Sequence, residues 1–162
     1  PTMGNPGAEF EVVEFIDLGN SASKVLHTIL TTFTRAHPKQ IRLVWKDYPK
    51  QSIFLGNNNT AHMAAWCAYK QNKFWEFTDA LTKDSSNLKP KGLEKVATDL
   101  KLDIPQWQQC VVSTEADGHI KTNLATAEAA GIAQAPALFI NSKRINVAEV
   151  DVEQMLNSII AQ

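Results

Sequence analysis

The chain has 162 residues, about one domain's worth, with 44% hydrophobic and 20% charged residues. Its 16 Lys+Arg and 17 Asp+Glu leave a formal net charge of −1. This balance argues against a nucleic-acid-binding surface, which needs clustered positive charge. No apolar run approaches the ~20 residues that a bilayer-spanning helix requires, so no membrane span is expected.

The first half begins with a β-α-β pattern. Residues 1–8 are rich in Pro and Gly and predict an irregular arm. Residues 10–17 have apolar side chains on both faces, which predicts a buried strand. A turn at residues 19–21 precedes a helix that reaches residue 36, and residues 40–48 predict a second strand. We expect the two strands to be parallel, because a crossover helix joins them.

A helical block separates this unit from a second set of strands. After a predicted loop at residues 49–59, apolar spacing predicts a series of helices, then two strands and a last helix. The helices are predicted at residues 60–71, 73–82, 91–100, 104–112 and 116–130, the strands at 137–141 and 144–147, and the last helix at 150–160. The order predicts an α/β fold of thioredoxin type, with a core of residues 1–58 plus 132–162 and a helical insertion of residues 59–131.

The cysteines and histidines show no metal-binding pattern. Cys67 and Cys110 lie 43 residues apart and have no Cys or His partner at zinc-ligand spacing, so no metal site is expected. Their spacing alone leaves two buried thiols and one disulfide equally open. The four histidines are predicted to lie on the surface; they are His27, His37, His62 and His119.

Three sequence segments resemble one known family. They are Glu14-Phe15-Ile16-Asp17 followed by a turn and Lys24, Lys-Phe-Trp-Glu at residues 73–76, and Gln-Ala-Pro-Ala-Leu-Phe-Ile-Asn at residues 134–141. In this order they resemble the DsbA-like thiol-disulfide oxidoreductases, and the resemblance covers nearly the whole chain. It implies a thioredoxin-like fold with a helical insertion and an extracytoplasmic location, periplasmic or secreted.

The chain departs from the family where the family's chemistry lies. The resemblance places Asn20, Ser21, Ala22 and Ser23 on the family's Cys-Pro-x-Cys motif. Thiol-disulfide exchange needs a thiolate nucleophile, which neither Asn nor Ser supplies. We therefore expect a pseudoenzyme with a degenerate motif, no catalytic residue at this position and no cofactor.

The resemblance also assigns three other sites. Ala135 and Pro136 fall on the family's cis-proline loop, which there offers a backbone edge to extended polypeptide; here the loop is either inherited architecture or a retained binding site. Glu14 falls on the strand acid beneath the active site and is expected to pair with Lys24 or another neighbour, because an unpartnered buried carboxylate costs several kcal/mol. Cys67 and Cys110 match the family's second cysteine pair, which implies a structural disulfide whose sulfurs are shielded by helices.

Three functions follow as hypotheses. The favoured one is a non-redox binder of unfolded or extended polypeptide. The second is a glutathione-linked transferase or isomerase in which Ser21 or Ser23, at a helix N-terminus, binds the thiolate. In the third, the chain is a thiol-disulfide oxidoreductase by family assignment only. Polypeptide binding, glutathione retention and a dithiol-oxidase assay separate them.

Overall fold

The computed structural model describes residues 1–50 and 59–161. Within these residues a five-stranded mixed sheet has the strand order β1-β3-β2-β4-β5. Its strands are β1 (Thr2–Gly4), β2 (Phe10–Ile16), β3 (Ile41–Asp47), β4 (Ala137–Ile140) and β5 (Lys143–Ile145). Strands β2 and β3 are parallel, as the crossover predicted, and the other three pairings are antiparallel.

The helices follow the predicted order. At nearly every helix end, the observed bound lies within two residues of the predicted one. They are α1 (Ser21–Ala36), α2 (Asn59–Tyr69), α3 (Phe74–Lys83), α4 (Pro90–Asp99), α5 (Ile104–Val111), α6 (Thr114–Ala129) and α7 (Val152–Ile160). A short 3-10 helix, Ser85–Leu88, precedes α4. Across residues 1–50 and 59–161, no helix is both long enough and apolar enough to cross a membrane.

Strand β2 is apolar on both sides because it packs into two layers. Val12 and Ile16 belong to the large hydrophobic cluster that includes Leu30 of α1, whereas Phe15 belongs to a smaller cluster with Ala127 of α6. Alternate residues of a strand point to opposite faces. The central strand is therefore covered on both faces, as its sequence predicted.

One feature of the sheet was not predicted. The first residues of the chain are not an irregular arm, because Thr2 pairs antiparallel with Val44 to form β1 at the sheet edge. Gly4 ends this strand at φ +89, where a Cβ would collide with the carbonyl oxygen of Ile41. A pairing partner some 40 residues away leaves no local pattern in a Pro- and Gly-rich segment. The predicted loop at residues 49–59 falls largely at 51–58, outside the described residues.

The two predicted units share one core. A single hydrophobic cluster includes residues of the strands and residues of the helical block. Trp45 of β3 packs edge-to-face on Phe74 of α3, with ring centroids 5.3 Å apart. The division into a core and an insertion stays a prediction.

Candidate functional site

Hydrogen bonds fix the turn between β2 and α1. Asn20 is the N-cap of α1, and its Oδ1 accepts the backbone N–H of Ser23 at 3.0 Å. Such a cap satisfies one of the N–H groups that the first helical turn leaves without partners. The backbone N–H of Asp17 donates to Ser23 Oγ at 3.3 Å, and that of Gly19 donates to Asp17 Oδ1 at 2.8 Å. The turn is therefore held from both sides.

The two serines of this turn differ in access. Ser23 is fully buried and its Oγ faces the backbone of Asp17, whereas Ser21 and Ala22 are exposed on the first turn of α1. Of the two serines considered as thiolate ligands, only Ser21 can contact a ligand in this structure.

The Ala135–Pro136 loop lies opposite this turn. Its peptide bond is cis, as the resemblance implied, and it leads directly into β4. Two clefts of about 520 and 720 Å³ adjoin it, and Asn20, Gln134 and Ala135 line both. We call the two clefts together the cis-proline groove. Its other lining residues include Tyr48 and Leu124 in the smaller cleft, and Ala22, Pro136, Arg144 and Val147 in the larger.

The backbone beside the proline is open. Within residues 1–50 and 59–161, the backbone groups of Gln134 and Ala135 make no hydrogen bond. The strand pairing begins one residue beyond the proline, where Ala137 lies opposite Phe15. Donors and acceptors at the edge of the groove are thus available to a bound chain.

Beneath the turn, Glu14 of β2 pairs with His27 of α1. The 2.8 Å hydrogen bond joins Glu14 Oε1 to His27 Nδ1, and both side chains are fully buried. The Glu14 partner predicted by name, Lys24, instead donates to Ser85 Oγ at 2.6 Å. The prediction that His27 lies on the surface is wrong, because it shares the inward face of α1 with Ser23 and Leu30.

This pair leaves hydrogen-bonding capacity unused. Glu14 Oε2 and His27 Nε2 are buried and have no partner in the described part of the chain. The His27 ring packs edge-to-face on the Trp45 ring, with ring centroids 5.0 Å apart.

A second buried acid, Asp47, ends β3 beside the same turn. Its Oδ1 accepts Trp45 Nε1 and His62 Nδ1, each at 2.8 Å. Its Oδ2 accepts Asn123 Nδ2 at 2.8 Å and contacts His119 Nε2 at 3.1 Å. These groups form what we call the Asp47 cluster: Trp45, Asp47, His62, His119 and Asn123.

The Asp47 cluster is connected to the turn through His62. The backbone N–H of Leu18 donates to His62 Nε2 at 3.2 Å. Because an N–H group can only donate, Nε2 carries no proton and Nδ1 carries the one that His62 donates to Asp47. The neutral His62 thus links the carboxylate of Asp47 to the backbone two residues before the helix cap.

The pKa of Asp47 is lowered well below its usual range. Burial alone would raise this pKa, but hydrogen bonds from His119, His62 and Trp45 stabilise the charged form and outweigh burial. Asp47 is therefore an anion at neutral pH inside the protein.

The surface placement predicted for the histidines is also wrong for His62 and only partly right for His119. His62 is fully buried, and the His119 side chain is 21% exposed and stacked on Trp66 at 3.7 Å. Their common partner Asp47 lies 15 and 72 residues away, so no local spacing signals the contact. One signal was present: Asp47 continues the inward-facing positions Ile41, Leu43 and Trp45 of β3, and a buried acid there requires donors.

The next features are metal-binding groups and the cysteines. Residues 1–50 and 59–161 contain no group of His, Cys, Asp and Glu arranged to hold a metal ion. The chain's two cysteines form the disulfide Cys67–Cys110, which joins α2 to α5 with a Cα–Cα distance of 5.8 Å. The pairing implied by the resemblance is confirmed. The predicted shielding holds for Cys67, which is 1% exposed, but not for Cys110, which is half-buried beside an open cleft.

Comparison with known proteins identifies the family. The family model described as thioredoxin matches residues 1–160. The chain belongs to the thioredoxin family. Its fold matches a thioredoxin-like oxidoreductase from Silicibacter pomeroyi with a TM-score of 0.83 and 25% identity, covering 99% of this chain and 90% of the other.

Two DsbA-like neighbours share the same fold. The thiol-disulfide exchange protein alpha-DsbA2 from Wolbachia pipientis has a TM-score of 0.82 and 17% identity, covering 99% of this chain and 83% of its own. Oxidised BdbD from Bacillus subtilis has a TM-score of 0.81 and 18% identity, covering 100% and 93%. At these identities the likeness establishes the fold, which is the predicted thioredoxin-like α/β fold.

Sequence comparison also finds two longer proteins. Na(+)/H(+) antiporter NhaA 3 from Salinispora tropica is 26% identical over 141 residues, which are 85% of this chain and 21% of that protein. Na(+)/H(+) antiporter NhaA from Nitrosospira multiformis is 26% identical over 147 residues, which are 88% and 23%. The chain spans about a fifth of the length of the curated relatives it matches.

Proposed function

We propose that this chain binds extended polypeptide in the cis-proline groove without redox chemistry there. The observation that carries the proposal is the open backbone of Gln134 and Ala135 beside the start of α1. An extended peptide placed along this edge would add main-chain hydrogen bonds next to β4, the mode of recognition called β-augmentation.

The walls of the larger cleft favour a chain with small or apolar side chains. The larger cleft is lined by small and apolar side chains, among them Ala22, Ala137 and Val147. Among the described residues that line it, only Arg144 is charged. Segments of this composition are normally buried in folded proteins and exposed in unfolded ones. The proposed ligand class is therefore unfolded or extended polypeptide. The proposed location is extracytoplasmic, either periplasmic or secreted.

The absence of redox chemistry follows from the residues at the helix start. In this proposal Asn20–Ser23 occupies the place of the family's dithiol, which makes the chain a pseudoenzyme at that site. No sulfur atom lies at these four positions. The turn's polar groups are already engaged, since Asn20 caps α1 and Ser23 accepts the N–H of Asp17.

Glutathione-linked transfer is the alternative function. It would now depend on Ser21 alone, because Ser23 is buried. Retention of the chain on immobilised glutathione, abolished by Ser21→Ala, would favour this function over polypeptide binding. Assignment as a thiol-disulfide oxidoreductase draws on the names of the structural neighbours, and it requires exchange at the helix start.

Binding to a reduced, unfolded protein tests the proposal. We expect saturable binding, measured by fluorescence anisotropy, that Ala22→Arg weakens at least tenfold by filling the groove. Ala36→Arg, at the exposed far end of the same helix, is the matched control and should bind normally. Equal binding by the two variants would refute the groove as the site.

The redox part has its own test. In a Cys67→Ala/Cys110→Ala background we expect no oxidation of a dithiol peptide above buffer. Adding Asn20→Cys and Ser23→Cys to that background should create exchange, because a thiolate at a helix N-terminus is stabilised. Turnover before the two cysteines are added would overturn the claim.

A further inference from the structure

The disulfide Cys67–Cys110 borders a cleft of about 340 Å³. We call it the disulfide cleft. It forms where α2, α5 and α6 converge, and its other lining residues are Lys70, Gln71, Gln106, Gln109, Ser113 and Glu115. None of these residues lines the cis-proline groove.

The two sulfurs are not equivalent in their surroundings. Cys67 lies on the buried face of α2 and is 1% exposed. Cys110 lies in the last turn of α5 and is half-buried, with Gln106 and Gln109 exposed beside it. Exchange of a disulfide depends on which sulfur a thiolate can reach. Access from the cleft therefore favours attack at Cys110, with Cys67 as the leaving sulfur.

We propose that the disulfide cleft is a second site at which peptide thiols exchange with the Cys67–Cys110 bond through Cys110. A thiolate forms a bond to Cys110 Sγ while the Cys67–Cys110 bond breaks, and its electron pair stays on Cys67 Sγ, which takes a proton from solvent. A second thiolate attacks the outer sulfur of the mixed disulfide and releases Cys110 as a thiol. Two peptide thiols are thereby oxidised to one disulfide, and the protein disulfide is reduced.

The charges at the cleft influence the approach of an anionic thiolate. Lys70 Nζ and Glu115 Oε1 are 2.6 Å apart, with side chains 47% and 63% exposed. The ammonium attracts a thiolate and the carboxylate repels it, so the pair nearly cancels. Gln106 and Gln109 have exposed amides that can accept and donate hydrogen bonds to a peptide backbone. This is why a peptide thiol is the proposed co-reactant.

The decisive experiment measures reduction of the native protein by reduced glutathione. Alkylation and mass spectrometry would follow the disulfide as urea is raised below the unfolding transition. Direct access predicts a rate proportional to thiol concentration and unchanged by urea, with the first adduct on Cys110. A rate that rises with urea below the transition, as expected for attack on a transiently opened state, or an adduct on Cys67, would overturn the proposal.

Two charge variants test the cleft itself. Neutralising Glu115 (Glu115→Gln) should raise the exchange rate about two- to fivefold, and Lys70→Gln should lower it by a similar factor, as expected for one charge near the surface. Asp117→Asn is the matched control, because Asp117 forms a comparable exposed pair with Lys121 on α6 outside the cleft. Equal rates for the Glu115 and Asp117 variants would contradict attack through this cleft. The outcome is independent of polypeptide binding at the groove.

Discussion

Glu14 on β2 and Asp47 on β3 are two buried acids on neighbouring strands, and each contacts a histidine through Nδ1 at 2.8 Å. Their register places Trp45 opposite Glu14 and Asp47 opposite Ile16. They differ in how many donors surround them. Asp47 is reached by donors from β3, α2 and α6, whereas Glu14 is reached by His27 alone among the described residues.

The difference separates two uses of a buried acid. The bonds of Asp47 extend through His62 to the Leu18 N–H, so this acid supports the turn that precedes the cap of α1. Among residues 1–50 and 59–161, Glu14 bonds no backbone group, and its Oε2 has no partner under the same helix. An acid that positions the site is costly to replace, and an acid whose capacity is unused is not.

The largest expected effect comes from Asp47→Asn. An Asn amide group would point its N–H at donors that now face a carboxylate oxygen, and buried donors would lose their acceptor. We expect the free energy of unfolding to fall by about 3–5 kcal/mol, because hydrogen bonds to a charged acceptor are worth about 1.5–3 kcal/mol each and more than one is weakened or lost. Urea unfolding followed by circular dichroism measures it.

Glu14→Gln is the matched control for that substitution. Its carbonyl oxygen can keep the His27 bond while its amide takes the place of the oxygen that has no partner. We expect a change of about 1 kcal/mol or less. Equal losses in the Asp47 and Glu14 variants would show that the two acids are not used differently.

Acid should reveal the Asp47 cluster without any substitution. The pKa of Asp47 is lower in the folded protein than in the unfolded chain, so its ionisation stabilises the fold above the unfolded pKa, near 4. That stability is lost as the pH falls below about 4 toward the folded pKa. The effect should be smaller than that of Asp47→Asn, because a protonated carboxyl keeps acceptor oxygens. Unfolding titrations at decreasing pH should show a larger loss in wild type than in Asp47→Asn.

The fold was predictable because its signals are local. The two-sided apolar strand β2, the Asn20 cap and the inward positions of β3 each depend on neighbouring residues. Strand β1 was missed because its partner, β3, lies about 40 residues away and its own sequence favours an irregular segment.

Two features near the candidate site were predictable, but the contacts of its buried side chains were not. The resemblance implied the cis bond at Pro136 and the Cys67–Cys110 disulfide, since motifs carry position along the chain. The partners Glu14–His27 and Asp47–His62 arise from packing between elements, and a lone histidine on a helix resembles a surface residue. The exposure of Cys110 likewise depends on how α5 meets α6.

A double variant tests whether the Glu14 pair contributes to stability. In Glu14→Met/His27→Phe, both polar groups leave together, and an aromatic ring remains to pack on Trp45. Replacing a buried ionisable pair with apolar residues of similar volume is often neutral or stabilising. We expect the free energy of unfolding to stay within about 1 kcal/mol of wild type or to rise. A loss comparable to that of Asp47→Asn would mean that Glu14 also anchors the fold.

The smallest expected effect belongs to His119, the outermost member of the Asp47 cluster. Its Nε2 lies 3.1 Å from Asp47 Oδ2, but Asn123 Nδ2 reaches the same oxygen at 2.8 Å. His119→Phe would keep the stacking on Trp66 and leave Asn123 as the donor to that oxygen. We therefore expect a loss of about 1 kcal/mol or less, measured by urea unfolding, because the carboxylate is never left without donors. Asn123→Leu is the stricter comparison: Asn123 is 3% exposed, and its loss should cost more than that of the partly exposed histidine. If His119→Phe were the more costly of the two, the partly exposed donor would contribute more to stability than the buried one. The burial of a donor would then not predict how much its hydrogen bond to Asp47 stabilises the fold.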